Sequence, residues 1–310
     1  MAVRKSKIPD SWGKRESAAN ESSKRARKRI KRDLNRDRSA LVQHTDVNAF
    51  TVYTQGSYKN YTNTRGSSDL DLIVQLRSPW KYDLSELSDA GRERYHNEKV
   101  EADYGYDDGF RDSVVQALQQ FYRENALKDP ISNTGKAIEI SGKHNPLPID
   151  VDVVAAQEYR IYHSYPEQGD PKYTEGMVFK PRNGTEWWVN FPKEHYKNSN
   201  AKHDNYRETV RMFKRAREEY NEEHLFSLDA PSYYIECLLY NVPDEILKTT
   251  DLTDRFDDAL SWLEENFDAK AETFDQASKM ENLFGDENTQ WNVNDAEDFI
   301  TKMRKLFDNL

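Results

Sequence analysis

A chain of 310 residues and 36.4 kDa is long enough for one large domain or two ordinary ones, each burying its own core. Disorder throughout is excluded by 18 Tyr, 13 Phe and 6 Trp, despite a mean hydropathy of −1.00. No run of about 18 apolar residues could span a bilayer, and the N-terminus lacks the apolar core of a signal peptide, so a cytosolic protein without membrane partners is expected. The single cysteine, Cys237, excludes an internal disulfide and a thiolate zinc cluster. The net charge of −10 lies entirely beyond residue 250: from Asp251 onward there are 16 acidic and 6 basic residues. The first 250 residues are therefore neutral, without the basic surplus of a generic nucleic-acid binder. An anionic ligand would have to be gripped locally or through metal ions.

In chain order, the first forty residues are basic and polar and predict a long, largely solvated helix. FTVYT and DLDLIVQL read as strands on either side of a Gly, Ser, Thr and Asn cluster. After a polar segment rich in Tyr and Asp, Val114, Val115, Leu118, Phe121 and Tyr122 recur at helical spacing. KAIEIS and PIDVDVV are two further strands around a Gly and Pro turn. Beyond about residue 190 the pattern is helical: DNYRETVRMFKRAREEYNEE, PSYYIECLLYNVP, LTDRFDDALSWLEENF and NDAEDFITKMRKLFDNL. Asp204, Ser232, Thr253 and Asn294 stand near the starts of these four helices. The order predicts an α+β fold, with a mixed-sheet lobe over residues 1–190 and a helical lobe over 191–310.

The chemistry concentrates on acidic residues in strands. Asp69 and Asp71 alternate on DLDLIVQL, so both side chains point to one face while Leu70 and Leu72 point to the other. Two carboxylates held this close repel unless a cation lies between them, and oxygen donors suit a hard ion such as magnesium or manganese. Asp150 and Asp152 repeat the pattern, and either could complete a three-carboxylate site. Upstream, Gly56 lets the backbone approach a ligand closely, and Ser57 offers a hydroxyl to phosphate oxygens. A lone D-x-D or Gly-Ser is more often an exposed strand edge or a turn; their conjunction points to phosphoryl chemistry.

GSYKNYTNTRGSSDLDL, with Asp69 twelve residues after Ser57, resembles the signature of the DNA polymerase beta-type nucleotidyltransferase superfamily. Over about residues 40 to 245 the chain is similar, within it, to the bacterial cyclic-oligonucleotide synthases related to cyclic GMP-AMP synthase and oligoadenylate synthase, the CD-NTases. The resemblance implies a bilobal polymerase-beta-like fold whose helical lobe closes over the nucleotide. It implies Asp69, Asp71 and Asp152 as catalytic ligands of two magnesium ions, with manganese as the alternative ion and Asp150 as the fallback ligand. It further implies Lys214 on the triphosphate, Ser232 on a phosphate and Tyr233 stacked on a base, beside Gly56 and Ser57. The ordinary readings are a solvated helix lysine for Lys214 and a core aromatic for Tyr233.

The implied reaction joins nucleoside triphosphates, ATP and at least one other, into a cyclic di- or trinucleotide messenger of anti-phage signalling, releasing pyrophosphate. Lacking a cysteine cluster, the chain cannot form the zinc-containing DNA clamp of the animal DNA sensor, which speaks against activation by DNA. The C-terminus, Asp308-Asn309-Leu310, does not resemble the small terminal residue through which some such synthases are conjugated. Terminal nucleotidyl transfer to RNA or a small molecule is the rival enzyme reading, the basic segment Lys24–Arg38 favouring RNA. A catalytically silent nucleotide-binding protein is the non-enzymatic one.

Overall fold

The computed structural model describes residues 8–15, 18–44, 49–64, 69–99, 105–123, 129–142 and 147–310. Its elements are α1 (Asp10–Gly13), α2 (Ala18–Leu34), α3 (Ala40–His44), β1 (Phe50–Thr54), α4 (Gly56–Asn60), β2 (Leu70–Asp83), α5 (Asp89–Glu98), α6 (Phe110–Tyr122), β3 (Ile131–Ser132), β4 (Ile138–Ile140) and β5 (Val151–Ser164). They continue with β6 (Lys172–Phe179), β7 (Trp188–Asn190), α7 (Pro192–Ala201), α8 (Tyr206–Glu223), α9 (Ser232–Tyr240), α10 (Asp244–Leu247), α11 (Leu252–Lys270) and α12 (Val293–Asn309). Two compact units result: a sheet unit of described residues 18–55 and 69–192, and a helical unit of 8–15, 56–64 and 193–310. The α+β class read from the sequence is the class observed. The Gly56–Ser57 segment, written above into the N-terminal lobe, groups with the helices.

In the sheet unit the strand order is β1-β2-β5-β4-β3, with β6 and β7 added on the far part of β5. β2 and β5 run parallel in the centre. β5 pairs with β4 over Val151–Val153 and with β6 from Gln157 onward. Leu72, Ile73, Val74 and Leu76 on β2, with Val151, Val153, Ala155 and Ala156 on β5, are fully or almost fully buried. The runs are near-continuous, as in central strands, and are interrupted on β2 by Asp71 and the buried Gln75 and on β5 by Asp152. The register of β2 shifts between Leu76 and Lys81, where Pro79 has no amide to give the ladder.

α2 is helical as expected, but it is not simply solvated. Ala26, Ile30 and Leu34, spaced four apart, form a buried stripe, and α2 contacts α6 and β1. Asp33, 3% exposed, accepts Tyr122 Oη at 3.1 Å and meets Arg36 at 3.0 Å, so a buried acid ties α2 to α6. The amphipathic helix, read from the sequence over DSVVQALQQFYREN (residues 112–125), buries Val114, Ala117, Leu118 and Phe121 and starts at Phe110; residues 124 and 125 lie outside the described residues.

The helical unit packs α8, α9, α11 and α12 around one apolar core that also takes Ile8 and Trp12. Phe213 and Phe256 stack at 4.2 Å. Two of the predicted helix starts shift by two residues: Asp251 caps α11 through Asp254 N at 3.0 Å, and Asn292 caps α12 through Asn294 N at 2.8 Å. Thr253 is instead buried and accepts Ile8 N at 3.0 Å. Cys237 is buried and unpaired in any disulfide. Among the described residues no helix is long and apolar enough to cross a membrane.

Candidate active site

Asp71 and Asp152 are direct register partners on parallel β2 and β5. Their α-carbons thus lie about 4.8 Å apart, and partners across a ladder point to the same face. Leu70, Leu72, Val151 and Val153, their chain neighbours, are buried on the opposite face, which fixes which way the acids point. A one-residue slip would drive the carboxylates into the core, so the hydrophobic pattern enforces the register. Glu139 on β4 is the register partner of Asp152 on its other side. Three acids from three neighbouring strands therefore form one row.

Asp69 stands one residue before β2. Leu70 N donates to Asp150 O at 3.0 Å, so the chain enters both strands at the same level. Asp150 is not idle: its Oδ1 accepts the amide of Gly142 at 2.5 Å. A Cβ on Gly142 would lie 2.7 Å from the Ile149 carbonyl, so only glycine allows that approach. The resemblance names Asp152, with Asp150 as the fallback; in the structure Asp150 accepts the Gly142 amide and Asp152 lies beside Asp71.

The electrostatics follow from this crowding. Burial, then Asp150 and Glu139, raise the Asp69 carboxyl above its ordinary value. Burial, then Asp69, Glu139 and Asp150, push Asp152 up to about 6. These groups hold charge against one another with no basic side chain among the causes, which is the environment a divalent cation relieves. The donors are all carboxylate oxygens, the set preferred by magnesium or manganese. As placed, no group of three or more His, Cys, Asp or Glu among the described residues is drawn in closely enough to ligate one ion. By donor chemistry and charge the residues fit the expected ions.

The other predicted site residues belong to the helical unit. Gly56 has φ of 64°, the left-handed region that glycine enters without a Cβ penalty, and it opens α4. Ser57 is half-buried, and its carbonyl accepts Thr62 N at 3.0 Å. Ser232 begins α9 behind Pro231, with Arg217 Nη1 at 3.4 Å from its hydroxyl. The Tyr233 hydroxyl donates to Gln276 Oε1 at 2.9 Å, and its ring lies 5.2 Å from that of His195.

Lys214 is placed differently from the expectation that it displays its charge to a triphosphate. It is 2% exposed, pairs with Glu236 at 2.6 Å and donates to Thr62 O at 3.4 Å. A sequence signal existed: Lys214 is four residues from Val210 and adjoins Phe213, both fully buried, so it lies on the apolar stripe of α8. Glu236 also meets His195 Nε2 at 3.1 Å. Burial would raise the Glu236 carboxyl, but Lys214 and His195 outweigh it and hold it well below the usual range. For His195 burial acts downward, and its contacts with Cys237 and Glu236 raise it to about 9. Glu139, Arg217 and Glu236 were missed from sequence because each lies in a segment whose pattern names no partner.

Comparison with known proteins identifies the family. The family model of the cGAS/DncV-like nucleotidyltransferase C-terminal helical domain matches residues 193–308. The chain is 35% identical over 260 residues to a cyclic UMP-AMP synthase of Rhodothermus marinus, covering 83% of this chain and 84% of that protein. It is 31% identical to the cyclic nucleotide synthase CdnE01 of Staphylococcus haemolyticus over 96% of both. The structure of the Rhodothermus marinus CdnE c-UMP-AMP synthase with Apcpp and Upnpp superposes with a TM-score of 0.78 at 31% identity, over 97% of both chains. With identity at this level across nearly its whole described length, and with paired acids at the head of two central strands, the chain belongs to the cGAS/DncV-like nucleotidyltransferases, the CD-NTase family.

Proposed function

We propose that this protein is a metal-dependent nucleotidyltransferase that joins nucleoside triphosphates, ATP and at least one other, into a cyclic di- or trinucleotide, in the service of anti-phage signalling. The observation that carries this reading is the row Asp71, Asp152 and Glu139 across three strands, flanked by Asp69, in a chain similar to cyclic nucleotide synthases. In the reaction a ribose hydroxyl oxygen of one nucleotide bonds to the α-phosphorus of a second. The bond from that phosphorus to the β-phosphate oxygen breaks, pyrophosphate leaves, and the hydroxyl proton passes to solvent or a carboxylate.

Asp69, Asp71 and Asp152 would hold two divalent ions, magnesium or manganese, which supply neutralising charge for the triphosphate and acidify the attacking hydroxyl. The rigid centre of the sheet keeps Asp71 and Asp152 side by side, so the acids need little reorganisation on binding. Asp150 supports the site by accepting the Gly142 amide just after β4, which favours Asp152 as the third ligand. Ser57 and Ser232 are the hydroxyls assigned to phosphate oxygens, Gly56 permits close backbone approach, and Tyr233 offers a ring to a base. Lys214 reaches a triphosphate only by leaving Glu236; otherwise its role is to sustain the network described below. Incubation with all four triphosphates and magnesium or manganese, followed by mass spectrometry, should give phosphatase-resistant cyclic products and pyrophosphate. Linear or RNA-linked products alone would overturn cyclisation, and no metal-dependent pyrophosphate release would overturn the enzyme reading.

A further inference from the structure

Glu236 is 3% exposed and lies one turn along α9 from Ser232 and Tyr233. Both of its oxygens are occupied. Oε1 accepts Lys214 Nζ at 2.6 Å and Thr62 Oγ1 at 2.5 Å. Oε2 accepts Asn60 Nδ2 at 2.9 Å and meets His195 Nε2 at 3.1 Å. The partners come from α7, α8 and the short stretch just after Ser57. Thr62 returns the connection, its amide donating to the Ser57 carbonyl at 3.0 Å.

Stability alone is a poor reason for this construction. Replacing a buried ionic group by apolar side chains of similar volume is often neutral or stabilising, because desolvating the charges offsets their attraction. What a carboxylate with four polar partners adds is a fixed geometry among the elements that supply them. Here those elements carry Gly56 and Ser57 on one side and Ser232 and Tyr233 on the other. Asn60 and Thr62 are themselves buried, at 6% and 1% exposure, so the segment is held from beneath while Ser57 stays half-exposed.

We propose that Glu236 is a positioning residue for nucleotide binding, a buried carboxylate that holds the Gly56–Ser57 segment in register with the start of α9. This rests on the nucleotide-binding reading of those residues given above. The role is indirect: Glu236 acts through Asn60 and Thr62 and has no contact with substrate assigned to it.

Two variants test it in the full chain. Glu236→Gln keeps the size and removes the charge; Thr62→Val keeps the shape, leaves the Lys214, Glu236 and His195 side chains unaltered, and removes the hydroxyl that donates to Glu236 Oε1 at 2.5 Å and accepts from Lys214 Nζ at 3.3 Å. With magnesium and a non-hydrolysable ATP analogue, calorimetry should show affinity at least about tenfold weaker for each, the loss expected when even one buried charge-assisted hydrogen bond is removed. In turnover assays KM should rise more than kcat falls. Hydrogen exchange at amides 57–62 should accelerate while α11 and α12 keep their protection. Wild-type binding and wild-type exchange in Thr62→Val would overturn the proposal, even if Glu236→Gln failed to fold. A wild-type protein that binds no triphosphate would overturn the nucleotide reading instead; exchange at 57–62 would still decide whether Glu236 holds the segment.

Discussion

Asp150 and Asp152 are two residues apart, yet the fold gives them different work. Asp152 faces Asp71 across the ladder, whereas Asp150 accepts the Gly142 amide. Asp152→Asn should therefore lower initial pyrophosphate release by at least about 100-fold, the scale of losing one preorganised charge at a reacting phosphate. Asp150→Asn should stay within about tenfold of wild type and lose about 1 kcal/mol in urea unfolding, the usual worth of one hydrogen bond. Equal losses of turnover in both would contradict the assignment. His195 makes a prediction about stability and pH. Its folded value of about 9 lies above the ordinary histidine value near 6.5, so its protonated form stabilises the folded state. That contribution is complete below about pH 6.5 and is lost as pH rises through 9. Melting temperature should fall across this window in the wild type, and the slope should flatten in His195→Gln.

Among the elements, α2 shows how a charged helix can still be anchored. Ile30 is fully buried while Lys28 is exposed. Ile30→Ala should cost about 2–4 kcal/mol in denaturant unfolding, the range for a buried aliphatic truncation, and Lys28→Ala should change stability by less than about 0.5 kcal/mol. β2 and β5 show the reverse case, in which an acid survives in a central strand because alternation keeps it off the buried face. The strand patterns DLDLIVQL and PIDVDVV were readable in the sequence for that reason. β6, β7, α5 and α7 were not. α5, for example, buries only Gly91 and Tyr95, too few positions to leave a period in the sequence.

For the whole molecule, the expected signature is a coupling of metal, nucleotide and stability. Asp69→Ala removes a carboxyl whose charged form burial, Asp150 and Glu139 disfavour, so that metal-free variant should melt no lower than wild type; Asp69→Ala with Asp71→Ala gives a double variant that lacks both acids. Wild type should gain melting temperature with magnesium and a non-hydrolysable triphosphate, because a ligand bound only by the native state stabilises it by mass action. The double variant should lose most of that gain. A full shift retained without Asp69 and Asp71 would remove these acids from the nucleotide site.

The α+β class and the paired acids are legible in the chain because strand alternation is local and leaves a period behind; the Gly56–Ser57 segment, read as part of a turn between strands, instead opens the short helix α4. The residue pattern alone leaves Asp150 and Asp152 open and the family resemblance names Asp152, whereas the pairing of Asp152 with Asp71 across the ladder and of Asp150 with the Gly142 amide is decided by the tertiary structure. Helical spacing sets Lys214 on the apolar stripe of α8, but neither its pairing with Glu236 nor the part Glu139 plays in pushing Asp152 up to about 6 is legible in the pattern. Those are pairings between different helices and strands, and charge pairing and burial exist only once the backbone has brought these elements together.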